Sequence, residues 1–519
     1  MKATLNKIFI LMLVATFIVS TNAYAIKITR EPSDYNQIEM TTMNDLDPNT
    51  DLYVNVSIKE IRALDDFEKI GDPDFYVRIF ICDNMFESEV WQNQKYLYGD
   101  PYLFQATQNI PDDMENVSIK IQLWDQQPGL DRLCDLDDNY GYLYQNKEIE
   151  IVYNTKMGCW DGEDFNYPHS IYADDSGYGR VNGCDDNSYY ENDLDCELIF
   201  EVTQSDTDGD GIPYWIEVNK YGTDPMVDDT GRDDDCDGVP IEWEHKWGTY
   251  VGYDWHEDKT EYITFYDPNV YEPHNLSDID NDGLDNVEEY LVSEWNSDPF
   301  RKDIYVELDQ MAAGPNGEPA CVFPNASKEL IKDAFNRRNI VYHFDDGCMG
   351  GGEIIPFIEP FPMPWEDEND SANQLYIDYF LHNNDSNLSW RRGVFFYSSV
   401  IYNGGFQGYN YRSGAFLISL CPINEQQKFA LAVWGKDTAY ASVFMHEHGH
   451  ALGLNELYGH DTDSYYPWQI KYWRYRPYKS CMNYGYTYIL VDFSDGSHGR
   501  NDRDDWDTID LTLFQQGWD

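Results

Sequence analysis

The chain has 519 residues, 42% of them hydrophobic and 16% aromatic, with 95 Asp and Glu against 35 Lys and Arg for a net charge of −60. That apolar content excludes a disordered acidic chain and suffices for two or three packed domains. The charge excludes intrinsic nucleic-acid binding, because a phosphate backbone would be repelled. Such acidity serves solubility or salt adaptation, or it is gathered into divalent-cation sites. The clusters below point to cation sites for at least part of it.

Residues 1–25 read as a signal peptide. Lys2 and Lys7 precede an apolar run from Ile8 to Val19 that is too short for a stable anchor, and Ala23-Tyr24-Ala25 has the small-x-small form of a cleavage site. The expected location is therefore secreted, extracellular. Residues 26–50 are a polar linker or leader, and their removal as a pro-segment stays open. The ten cysteines, an even count in an exported chain, predict mostly disulfides. Local pairs such as Cys184–Cys196 and Cys321–Cys348 are the simplest.

Residues 51–203 alternate apolar and polar in short runs: Tyr53 to Ile58, Phe75 to Ile81, Val117 to Trp124 and Cys196 to Val202. Period two with turn residues between predicts an all-β sandwich. Acids cluster past the strand ends, and facing acidic loops repel unless a hard cation sits between them. The stretches Asp72-Pro73-Asp74-Phe75-Tyr76-Val77 and Leu123-Trp124-Asp125 resemble the calcium-binding β-sandwich of synaptotagmins and protein kinase C. The resemblance implies calcium at Asp66, Asp72, Asp125 and Asp131, and a calcium-dependent contact with a surface or membrane through this sandwich. An acidic sandwich without metal is the alternative.

Residues 204–300 carry one pattern three times. Asp206, Asp208 and Asp210 precede Gly211 and then Glu217; Asp233, Asp235 and Asp237 precede Gly238 and then Glu244; Asp278, Asp280 and Asp282 precede Gly283 and then Glu289. Alternate side chains converge on one ion, glycine permits the bend, and the distal Glu closes the shell. This is EF-hand loop spacing, and calcium is the expected cofactor. The segment resembles the calcium-stapled repeats of thrombospondin type 3. Little apolar surface is available per repeat, so calcium is expected to supply much of the folding energy.

Residues 301–519 predict a strand at Ile304 to Leu308, a helix from Ser327 to Asn336 with Ser327 as N-cap, and strands at 393–401 and 414–420. A helix bearing His446-Glu447-His448-Gly449-His450 follows. Its two outer histidines are four residues apart and project from one face, where both can grip one metal. Glu447 lies beside the first ligand as a candidate general base. His448 points off that face, as a neighbour of the ligands or an exposed side chain. Gly453 stands where the helix can end at positive φ.

The full pattern, His446-Glu447-x-x-His450-x-x-Gly453-x-x-Glu456 followed by Ser480-x-Met482-x-Tyr484, resembles the metzincin metallopeptidases. Lys302 to Asp309, Arg391 to Tyr397 and Asp505 to Asp510 also resemble recurring segments of a secreted bacterial group of these enzymes. The resemblance implies zinc on His446, His450 and a third ligand, an apolar floor at Met482, and Tyr484 near the metal, where it steadies the transition state. The family's third position holds Glu456 here, which is the favoured ligand; His460 is the rival.

The expected architecture is thus multidomain: an N-terminal all-β sandwich, a calcium-loop repeat segment, and a C-terminal α+β zincin-like catalytic domain. The expected activity is a zinc-dependent endopeptidase acting on a protein or peptide substrate, stabilised by calcium and monomeric. The alternatives are a calcium-dependent extracellular binding or adhesion protein with an inert zinc domain, and a zinc hydrolase of non-peptide substrates.

Overall fold

In the computed structural model, the alternation that begins at Tyr53 becomes two facing antiparallel sheets. The structure describes residues 45–65, 67, 71–137, 147–162, 179–185, 194–254, 259–264, 266–362, 370–383, 388, 390–455, 458–461 and 463–515. Eleven strands run in chain order: β1 (Tyr53–Ala63), β2 (Phe75–Ile81), β3 (Asn84–Glu87), β4 (Tyr96–Tyr98), β5 (Phe104–Asn109), β6 (Asn116–Asp125), β7 (Arg132–Leu133), β8 (Ile149–Asn154), β9 (Cys159–Gly162), β10 (Arg180–Asn182) and β11 (Cys196–Gln204). One sheet follows the order β10-β11-β1, with β4 and β5 sharing the other edge of β1; the second follows β3-β2-β6-β8-β9, with β7 against β6. Val54, Val56 and Ile58 from β1, Val77, Ile79 and Ile81 from β2, and Ile119, Ile121 and Leu123 from β6 are buried together between them. Every second residue faces inward, as the period requires. This part of the chain is a β-rich domain.

Beyond Gln204 the regular structure becomes sparse. Each acidic loop leads into a short helical stretch: Tyr214–Ile216 continuing to Tyr221, Ile241–Gly248, and Asn286–Leu291. A hairpin of β12 (Thr249–Asp254) and β13 (Lys259–Thr264) is inserted between the second and third loops.

The third sheet holds β14 (Asp303–Met311), β15 (Val341–Asp345), β16 (Ile354–Ile355), β17 (Phe395–Ile401), β18 (Gly408–Arg412) and β19 (Ala415–Ser419). Its order is β15-β14-β17-β19-β18, with β16 extending the pairing along β14. All of its pairs are parallel except β18 with β19, and β18 ends the order. β17 and β19 are buried along their whole length, as parallel strands covered on both faces require. Helices Asn325–Asn336 and Lys436–Ala451 pack on each other, the first also against β15 and the second against β18 and β19.

Two sequence expectations are corrected here. Helix Asn325–Asn336 begins after Pro324, whose extended backbone starts it. Ser327 is therefore inside the first turn, and its hydroxyl donates to the Asp437 carbonyl at 3.0 Å, tying the two helices together. No cysteine forms a disulfide in the structure. Neither Cys184–Cys196 nor Cys321–Cys348 is bonded, for Cys348 sits on an exposed loop with its thiol donating to the Phe344 carbonyl, while Cys321 is buried in the core.

Residues 46–519 form a single compact unit. Ion pairs join its parts: Arg62 of β1 reaches Glu329 at 2.7 Å and Asp333 at 3.0 Å, and Arg180 of β10 reaches Asp303 of β14 at 3.2 Å. Arg301 pairs with Glu197 of β11. Among the described residues no helix is long and apolar enough to cross a membrane. The signal segment 1–25 and most of the 26–50 leader lie outside the described residues.

Candidate metal centre

Helix Lys436–Ala451 is buried along most of its length and stops abruptly. The Leu454 N–H bonds the Gly449 carbonyl at 2.9 Å and the Gly453 N–H bonds the His450 carbonyl at 3.1 Å, with Gly453 at φ +91°. This paired closure needs a left-handed residue, which glycine supplies without strain. It also brings the Leu454 carbonyl back to His450, whose Nδ1 lies 2.7 Å from it.

That carbonyl can only accept, so His450 carries its proton on Nδ1 and leaves Nε2 bare. His446 is fixed the same way, its Nδ1 donating to the Cys481 carbonyl at 2.9 Å. His460 then arrives from the following loop. Its Nε2 lies 3.2 Å from Nε2 of His450 and 3.2 Å from Nε2 of His446. Tetrahedral zinc with nitrogens at about 2.0–2.1 Å places neighbouring nitrogens about 3.3 Å apart. Burial pushes His460 down to about 4 and His446 well below the usual histidine range, so the rings are neutral, the form that ligates. The three imidazoles fit zinc in number and spacing, and His446 and His450 also in tautomer.

The turn that delivers His460 is built with the segment predicted as the floor. Gly459 at φ +72° packs against Asn483, and its carbonyl accepts the Tyr484 N–H at 3.1 Å. Asn483 donates to the carbonyls of Tyr475 and Tyr478, both at 2.9 Å. Met482 is fully buried, and a Cβ on Gly449 would come within 2.5 Å of its sulfur. Met482 therefore lies directly against the helix between the two ligands. The Tyr484 ring sits 4.4 Å from the His460 ring and 5.7 Å from that of His446.

Glu447 is 8% exposed and faces β18. Burial pushes its carboxyl up to about 8, opposed by a hydrogen bond from the Asn410 backbone. A Cβ on Gly408 would fall 2.4 Å from Glu447 Oε1, so a glycine at that end of β18 makes room for the carboxylate. His448 points away from the metal face but is not exposed. It is fully buried among Phe396 and Phe416, its Nδ1 2.9 Å from the Tyr342 hydroxyl. Glu456, the favoured third ligand, lies outside the described residues; its rival His460 is brought to the other two.

The three acidic loops share one hydrogen-bond pattern. The first acid accepts from the sixth-position glycine: Gly211 to Asp206 at 2.9 Å, Gly238 to Asp233 at 3.2 Å, Gly283 to Asp278 at 3.2 Å. The fifth-position acid accepts from the residue two further on, at 2.8 Å in Asp210, 3.3 Å in Asp237 and 2.8 Å in Asp282. It also accepts a backbone N–H from a later segment: Asp229 at 3.2 Å, Glu272 at 3.2 Å and Asp303 at 2.7 Å, respectively. Each of those later residues is itself acidic, and sequence reading singles out none of them.

Both oxygens of Asp208, one each of Glu217 and Asp229, one each of Asp278 and Asp280, and both of Glu289 are buried with no hydrogen-bond partner. Buried carboxylates without partners are costly unless a cation neutralises them. The first loop thus fits calcium through Asp206, Asp208, Asp210, Glu217 and the added Asp229, and the third through Asp278, Asp280, Asp282 and Glu289. In the middle loop Asp237 and Glu244 are joined by Glu272 and by a histidine, His274, with all four ligand atoms within 4.8 Å of one another.

The sandwich acids are engaged differently. Asp66 lies outside the described residues. Asp125 is fully buried and ion-paired with Arg132, and it also accepts Gln127 at 2.9 Å and the Asp74 N–H at 3.0 Å. Asp131 accepts the Tyr76 hydroxyl at 3.0 Å and the Gln127 N–H at 3.1 Å. The Arg132 guanidinium thus neutralises Asp125, whereas Asp131 is held by neutral donors. Asp72 touches the rest through its backbone, its N–H donating to Asn93 at 3.2 Å.

No family model matches the chain, and no curated protein matches it. Solved structures similar to it include a C2 domain, at 14% identity over 30% of this chain and 98% of that one, with a TM-score of 0.17. The tandem C2 domains of extended synaptotagmin 2 with calcium bound are 11% identical over 29% of this chain and 45% of that one, TM-score 0.17. Human GIVD cytosolic phospholipase A2 with an inhibitor and terbium chloride is 13% identical over 29% of this chain, TM-score 0.16; the match spans 17% of that protein's length.

Proposed function

We propose that the chain is a secreted zinc-dependent endopeptidase whose fold is held by calcium. The carrying observation is the convergence of three Nε2 atoms, from His446, His450 and His460, beside the buried carboxyl of Glu447. We take residues 301–519 as a zincin-like catalytic region, with His460 as third ligand. Zinc held there supplies a Lewis acid with an open position for substrate chemistry.

The chain's own groups then have these tasks. Glu447 takes the proton from the attacking water and hands it to the leaving amine nitrogen. Its low exposure keeps that proton from bulk solvent. Tyr484, beside His446 and His460, donates its hydroxyl hydrogen to the oxygen on which charge develops. β18 is antiparallel to its neighbour and ends the sheet order, so an extended peptide can pair with it as an added strand next to Glu447. An aromatic ladder runs outward from Tyr484 through Tyr465 and Tyr466 to Trp468, which is 77% exposed. It offers apolar substrate side chains a surface beside the site.

The direct test is hydrolysis of an unfolded protein substrate by the zinc-loaded chain, with and without a zinc chelator. Cleavage abolished by chelation and restored by zinc supports the reading; an inert loaded chain, or cleavage that ignores chelation, overturns it. Gly408→Ala gives a finer test. Its methyl group meets Glu447, so kcat is expected to fall while zinc content stays at the wild-type level.

Calcium is proposed at the first and third acidic loops, and its removal has a pH signature. Burial pushes Asp210 up to about 6 and Glu217 up to about 8, with neighbouring acids adding to it. A carboxyl raised above its unfolded value costs stability once ionised, so without calcium stability is lost as pH rises from near 4 through those values. With calcium bound the ionised form is the ligand, so these carboxyls stay ionised across this range and the loss disappears. Thermal unfolding in a calcium chelator is therefore expected to show Tm falling between pH 5 and pH 8, and calcium is expected to abolish the fall.

A further inference from the structure

The middle acidic loop differs chemically from its neighbours. His274 and Glu244 are each 1% exposed, and His274 Nε2 lies 3.3 Å from Asp237 Oδ2 and 3.9 Å from Glu244 Oε1. Nε2 of His274, Oε1 of Glu244 and Oε2 of Glu272 are all buried with no hydrogen-bond partner. Four ligand atoms thus face one point, and one of them is a nitrogen. By contrast, the first loop gathers only oxygens, from Asp210, Glu217 and Asp229.

Calcium takes oxygen ligands, whereas imidazole selects borderline cations of the zinc class. We propose that His274, Asp237, Glu244 and Glu272 form a separate zinc-class cation site, distinct from the calcium loops and from the histidine centre.

The surroundings fix the position of the His274 ring. Its Nδ1 lies 2.8 Å from the Asn286 side-chain nitrogen, which also donates to the Tyr266 hydroxyl at 2.9 Å. Ligation through Nε2 requires that amide to rotate by half a turn, so that its oxygen accepts the hydroxyl proton and the Nδ1 proton together. Tyr266 and Trp243 pack edge-on around the imidazole, at 4.7 Å and 5.7 Å between ring centres, and hold its plane. Asp233, at the loop's first position, instead accepts two N–H groups of its own loop, Cys236 at 2.7 Å and Gly238 at 3.2 Å. It serves as the turn-maker.

The site does not rest on the proteolytic reading, and one experiment separates the two. The full chain is stripped of metal, equilibrated with zinc in millimolar calcium, and its bound zinc counted by mass spectrometry. Wild type is expected to hold two zinc ions, His450→Ala one, His274→Asn one, and the double variant none. Zinc content unchanged by His274→Asn overturns the proposal. Failure of the histidine centre looks different: His450→Ala loses nothing while His274→Asn still loses one ion. Should His274→Asn not fold, zinc X-ray absorption of the His450→Ala chain decides. One imidazole among oxygens supports the site; an all-oxygen shell or no bound zinc overturns it.

Discussion

Glu447→Gln is expected to lower kcat/KM by roughly 10²–10⁴-fold, the usual contribution of a positioned general base. That is about 3–5 kcal/mol of transition-state stabilisation at about 1.4 kcal/mol per tenfold. The amide has the carboxyl's shape, so the pocket behind Gly408 and the approach of the Asn410 backbone should survive. Zinc content and Tm should therefore match wild type, which separates a chemical loss from a folding one. Full activity in the variant would remove the peptidase reading and return the binding-protein alternative, in which nothing needs a base.

His460→Ala is expected to strip zinc from the centre. Losing an outer hydrogen-bond partner of a metal ligand costs roughly 10–100-fold in affinity, and losing one of three ligands should cost more. The substitution sits on a turn fixed by Gly459 and Asn483 rather than by its own side chain, so the fold should hold. Titration with a competing chelator measures the change. The same titration on Glu456→Ala tells the two candidates apart: zinc retained by His460→Ala but lost by Glu456→Ala would move the third ligand to Glu456.

The parts of the site legible in the sequence were those set by local geometry. Two histidines four apart on a helix must share a face, and a glycine three residues on can close it. The third imidazole was harder to read because its place depends on a turn stitched to Asn483, far along the chain. The family pattern favours Glu456, which lies outside the described residues. The acidic loops behave alike. Their alternating acids follow from local spacing, but Asp229, Glu272 and Asp303 join from 19, 35 and 21 residues beyond the fifth-position acid. An inserted hairpin accounts for the longest of these, and no fixed period exposes the set. In the sandwich, period two revealed the long strands, whereas Arg132 answering Asp125 needed the pairing of β6 with β7. The cysteine count gave parity but no geometry, and the paired sulfurs did not follow.

The ion pairs that cross the chain bear on how it can be handled. A fragment beginning at residue 301 would keep the histidine centre and lose Arg62, Arg180 and Glu197. Asp303 would then open the first strand of the third sheet without its arginine, and Arg301 would be left without its acid. Recombinant trimming to a minimal piece around the histidine centre should therefore yield insoluble or short-lived material. The sandwich behaves as a permanent half of the protein's foundation, so useful excision begins no later than residue 46.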